Sequence, residues 1–238
     1  MLRPGELMCG DGPHADVHLW INPNVGGERK THGLVPRDYT THPVGFYASI
    51  PPLAVDMPLI PQGEWSQRCK DQIAAQARLS DVRLTGNNGQ NIPSRDQNGK
   101  GYCWMHSGTS AVIGTRATMN LAYADLSAYA GACVIKQFRD EGGWGAQGVD
   151  FMIERGVPTS EFWPQKSMSR TNDNPNTWAN AANFKITEGW IDLAYQQYDR
   201  KLTFDQECSL HLVNGWTVND YNWWGHSVCG ADVVDGRR

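Results

Sequence analysis

Residues 97–120, QNGKGYCWMHSGTSAVIGTRATMN, set a glycine-bearing loop directly against a run of small and apolar side chains. The stretch that leads into it, TGNNGQNIPSRDQNGKG at 85–101, holds four glycines and almost no apolar residue, and reads as an exposed loop. From Cys103 to about residue 120 the composition suits a buried helix. A cysteine at a helix start has its thiolate stabilised by unpaired backbone N–H groups and by the positive end of the helix dipole. Cys103 is therefore the candidate nucleophile, and Trp104 begins the buried face behind it.

Upstream of the loop, EWSQRCKDQIAAQARL places Trp65, Cys69 and Ile73 at i, i+4 and i+8, which predicts an amphipathic helix over 64–79. Residues 1–63 are rich in Pro, Gly, His and Asn. They read as an irregular extension with short β-prone pieces at Val17–Ile21 and Val44–Tyr47, so that a domain over 64–238 follows an extension over 1–63. Downstream, a Gly-Gly turn precedes a predicted helix over 144–155, stopped by Gly156 and Pro158. The stretch 160–186 reads as a long loop, and further helices are predicted over 188–199 and, capped by Asp205, over 205–213. WTVNDYNWW from Trp216 and HSVCGADVV from His226 then read as two strands. Helices first and strands last predict an α+β fold.

The 238 residues, 40% hydrophobic and 19% charged, are enough for a real core and too sparsely charged for a disordered tail or a coiled coil. A net charge of −4 with no dense basic stripe argues against a nucleic-acid partner. No apolar run approaches 18 residues and the first residues lack a secretory pattern, which predicts no membrane partner and a cytoplasmic protein, or a virion protein in a viral setting, that is not secreted. Six scattered cysteines do not make a disulfide scaffold, and most are expected as thiols, Cys133 and Cys229 as buried ones. Cys9, His14 and His18 are spaced like zinc ligands but lack a fourth, so they read as an exposed arm, and no metal or cofactor is expected. His106, one helical turn after Cys103, is assigned to packing, and His211 to the surface.

The string DQNGKGYCW, with Gln97 six residues before Cys103, resembles the nucleophile motif of the papain-like (C1) cysteine peptidases. Three more landmarks follow in that family's order: Leu126-Ser127 at the opening of a second helix, Glu141-Gly142-Gly143-Trp144 at the turn that binds substrate backbone, and Trp223-Trp224-Gly225-His226-Ser227-Val228 on the histidine strand. The resemblance implies a papain-like two-lobed fold, helical lobe plus β-rich lobe, closest to compact prokaryotic or phage-type members. It implies hydrolysis of a polypeptide substrate with Cys103 as thiolate nucleophile, His226 as acid and base, and Gln97 in the oxyanion hole. Gly142 and Gly143 would pair with the substrate chain, and Trp144 and Trp224 would flank the cleft.

Two departures sharpen the expectation. Where secreted relatives carry a disulfide beside the nucleophile loop, this chain has Lys100 and Asp140, for which an ion pair is expected. The family's orienting Asn, in an Asn-Ser-Trp-Gly setting, has no counterpart in the twelve residues after His226, leaving Asp232 and Asp235 as substitutes. A domain lacking its C-terminal part is expected, whether cut after the turn, completed by another chain, or degenerate. Transglutaminase-type acyl transfer is disfavoured by Gln97 and by a histidine 123 positions beyond Cys103. The alternative from a different class is a weak or inactive homologue serving as a structural, virion or assembly component, with residues 1–63 as the arm that meets a protein partner.

Overall fold

Helix α3, Cys103–Thr118, is buried on nearly every side, and the rest of the molecule is arranged around it. The computed structural model describes residues 18–21, 59–187, 190–192, 200–213, 215–221 and 225–233. Within them α1 spans Gln62–Ala74, α2 Leu79–Thr85, α4 Ala128–Ile135, α5 Gly145–Glu154, α6 Pro175–Ala181 and α7 Arg200–Leu212. Four strands, β1 His18–Ile21, β2 Trp190–Asp192, β3 Trp216–Tyr221 and β4 His226–Gly230, form one antiparallel sheet in the order β2-β1-β3-β4. The fold is α+β. No described helix is long and apolar enough to cross a membrane.

The sheet packs on α3 through a few specific contacts. Gly114 lets the Trp216 ring lie against the helix, since a Cβ there would come within 2.4 Å of it. The Trp216 indole N–H donates to Thr118 Oγ1 at 3.1 Å. Toward the other end of the helix the buried hydroxyls of Ser107 and Ser227 are 2.6 Å apart. Thr217, next to Trp216, pairs with Gly230 at the end of β4, so α3 and β4 run in the same direction. Trp104, Met105, Tyr129, Met152 and Trp163 fill the main core, all fully buried. A second cluster of Trp65, Cys69, Cys208, Leu212 and Val233 joins α1 to α7.

Several expectations change. The helix expected over 64–79 is broken: Gln76, at φ 52°, leaves the right-handed region and separates α1 from α2. The stretch expected as a loop over 160–186 contains α6, whose start, Asn174 capping the N–H groups of Asn176 and Thr177 with Pro175 at the first helical position, was readable as a helix signal. Trp190–Asp192, expected inside a helix over 188–199, is strand β2; pairing with β1 overrides the helical spacing of its side chains. Helix α7 begins before Asp205, whose carboxylate accepts from Gln62 Nε2 at 2.9 Å instead of capping.

His211 is not at the surface. It is buried, its Nδ1 lies 3.0 Å from the Gly215 carbonyl, and its Nε2 faces the buried Glu207 carboxylate at 3.6 Å. Asn219 donates to the same carboxylate oxygen at 2.7 Å and accepts from Thr217 at 2.7 Å, so α7 and β3 share a satisfied polar core. The amino-terminal segment is not wholly apart from the domain either, because β1 lies between β2 and β3. The β-prone piece at 44–47 lies outside the described residues.

Candidate active site

Cys103 is the first residue of α3, the preceding Tyr102 makes no side-chain capping hydrogen bond, and the positive end of the helix dipole is directed at the cysteine. The residue is 9% exposed and carries a thiol, as do Cys69, Cys133, Cys208 and Cys229. Beside it the nucleophile loop and the 139–143 turn are tied repeatedly. The hydroxyl of the fully buried Tyr102 donates to the Arg139 carbonyl at 2.9 Å. A Cβ on Gly101 would meet the Gly142 nitrogen at 3.0 Å, and one on Gly143 would meet the Trp104 ring at 2.5 Å. Gly143 is therefore required by close approach, and a side chain at Gly101 would press on the backbone of the turn. The Trp104 indole N–H donates to the Gly101 carbonyl at 3.0 Å, so this one buried ring carries both the loop and the turn.

The expected ion pair is present: Lys100 Nζ lies 3.1 Å from Asp140 Oδ2, and Asp140 Oδ1 accepts from the Gly101 N–H at 2.8 Å. The Gly101 amide, with Lys100 second, holds the Asp140 carboxyl below the usual carboxylate range. Gln97 Nε2 donates to the Lys100 carbonyl at 2.9 Å, and the Gln97 carbonyl accepts from Tyr129 Oη at 2.8 Å. Gln97, Cys103, Gly142 and Gly143 thus belong to one assembly. Gly142 faces open space, and Trp144 is half-buried at the start of α5.

His226 opens β4 as Cys103 opens α3. Ser107 lies one turn beyond Cys103, about 6 Å along the helix, and Ser227 one residue beyond His226, about 3.3 Å along the strand. Because helix and strand run in the same direction, both residues lie at the same end of the packed pair. Burial lowers the His226 pKa from its ordinary 6.5, which keeps the imidazole neutral at pH 7. Asp232 does not orient it: both of its oxygens accept from Ser80 N–H at 3.2 Å, at the start of α2 and past the far end of β4. Asp235, Trp223 and Trp224 lie outside the described residues, as do Cys9 and His14.

His106 has the packing role expected, meeting Tyr129 edge-on with centroids 5.8 Å apart. Tyr102, Tyr129, Ser107 and Ser227 were not singled out in the sequence; only the spacing of Ser107, four residues after Cys103 on the same helix face, offered a signal. No group of His, Cys, Asp and Glu among the described residues is arranged to hold a metal ion. Comparison of the chain with protein-family models, with curated proteins and with solved structures gives no match.

Proposed function

We propose that the protein is a thiol-dependent peptide hydrolase of papain-like, two-lobed design, with the helices around α3 as one lobe and the sheet carrying His226 as the other. The observation that carries this reading is the tied loop and turn beside Cys103, at the end of α3 where β4 also begins. The Cys103 sulfur adds to a substrate carbonyl carbon while His226 takes the thiol proton. The resulting oxyanion is met by the Cys103 backbone N–H and by the second N–H of the Gln97 amide, whose first is held by the Lys100 carbonyl. The C–N bond then breaks as His226 returns the proton to the leaving amine, and water delivered through the same imidazole hydrolyses the thioester. Gly142, open to solvent, supplies main-chain hydrogen bonds to an extended substrate, with Trp144 beside it.

Incubation with an epoxysuccinyl thiol reagent followed by intact mass tests the assignment. One adduct on Cys103 is expected, absent in Cys103→Ala and strongly slowed in His226→Ala; no adduct on the folded, unsubstituted protein sinks the reading. Hydrolysis of an N-acylglycine p-nitrophenyl ester should fall about 10²- to 10³-fold in Gln97→Ala, the usual loss for one oxyanion donor. The commitment of Asp232 to α2 favours a second reading, a weakly active or silent scaffold of the same fold acting in an assembly. That reading expects the Cys103 adduct to form without measurable ester turnover.

A further inference from the structure

We infer that Asp140 is the positioning residue of the oxyanion side of this site, fixing through one peptide plane the amide of Gln97; the inference rests on the peptidase reading above. The Lys100 carbonyl and the Gly101 N–H belong to the same rigid peptide unit. Its N–H donates to Asp140 Oδ1 at 2.8 Å, and its carbonyl accepts from Gln97 Nε2 at 2.9 Å. Any tilt of that plane about the chain therefore moves the acceptor that aims the Gln97 amide. The carboxylate sits on the turn that must stay in register with the loop, since Gly101 and Gly142 are already in backbone contact and the neighbouring Arg139 carbonyl holds Tyr102.

The two prongs of Asp140 are not equivalent. The Lys100 and Asp140 side chains are 33% and 42% exposed, so solvent and salt screen their attraction. The charge-assisted bond from the Gly101 amide is short, is made by backbone, and acts on the plane itself. Removal of the carboxylate should consequently matter more than removal of the ammonium.

The full chain is assayed with the N-acylglycine p-nitrophenyl ester, after subtraction of the Cys103→Ala background. Asp140→Ala is expected to lower kcat about 10-fold with KM within about 2-fold, a loss typical of a catalytic group misplaced by a fraction of an ångström. Asp140→Asn, which keeps an acceptor for Gly101, should restore most of the rate, and Lys100→Met should cost less than about 3-fold. In a Gln97→Ala background Asp140→Ala should add almost nothing, because the group it positions is gone. Equal losses in both backgrounds, or no loss in either, would overturn the inference. If the unsubstituted protein neither labels nor turns over, the peptidase reading fails by itself. Amide hydrogen exchange at Gly101 then decides the rest: exchange about 10-fold faster in Asp140→Ala upholds the hold on the loop, and unchanged exchange removes it.

Discussion

Trp104→Ala should unfold the protein at markedly lower denaturant concentration, at a cost of about 3–5 kcal/mol, the range for deleting a fully buried large aromatic. That is a large part of the roughly 5–15 kcal/mol by which a domain is stable. The loss reaches the site by two routes. The Gly101 carbonyl loses its indole donor, and Gly143 loses the ring on which it rests. Trp104→Phe is the milder test, because it keeps an aromatic ring near Gly143 while removing the N–H and part of the fused ring. Its cost should be about 1–3 kcal/mol, from the lost ring atoms together with a half-buried carbonyl that loses its donor. Urea titrations of the three proteins check the order, wild type above Phe above Ala. An Ala variant within 1 kcal/mol of wild type would show that loop and turn are held by something else.

The second large effect is acid sensitivity at His106. The ring is 9% exposed, its Nε2 has no hydrogen-bond partner among the described residues, and burial, followed by the charge of Arg95, lowers its pKa from 6.5 to about 4 against a smaller opposing pull from Asp96. Tyr129, packed on the ring, brings no charge at these pH values. A histidine depressed in the folded state stabilises the fold fully above pH 6.5. Its contribution is lost as pH falls from 6.5 through about 4, because the unfolded chain then binds a proton that the folded chain refuses. The whole swing is about 3 kcal/mol. His106→Leu, of similar volume, should remove that share of the slope, so the stability gap between pH 7 and pH 4.5 shrinks relative to wild type. Identical pH profiles for the two proteins would show that His106 is not the group responsible. Carboxylates such as Asp81, held low by Arg78, titrate in both variants and cancel in the comparison.

The centre of the molecule was legible in the sequence and its margins less so. Cys103–Thr118 is almost the helix that composition predicts, because a contrast between a glycine-bearing polar loop and an unbroken small, apolar run is local information. The Lys100–Asp140 pair was reachable by a resemblance that aligned two distant positions, and it is present. Other features depended on partners far away in the chain. Trp190–Asp192 has helical spacing in its neighbourhood and is a strand only because β1 lies alongside. His211 is a polar residue flanked by Leu210 and Leu212, and its burial depends on the network that the distant Asn219 completes with Glu207 around that part of α7. Asp232, attractive by its distance from His226, is engaged with Ser80, 152 positions away.

The position of β1 bears on how the protein is made. Trp20 pairs with Thr217, so the inner strand leaves the ribosome about 200 residues before its partner exists. At roughly 5–20 residues per second, the edge of that strand that faces β3 waits on the order of 10–40 s unpaired by the sheet. Helices α1 to α5 can form meanwhile from local contacts, whereas closure of the sheet is a late, high-contact-order event. Nascent chains stalled before residue 216 should therefore be the aggregation-prone species, since they carry an edge for which no intramolecular neighbour has yet been synthesised.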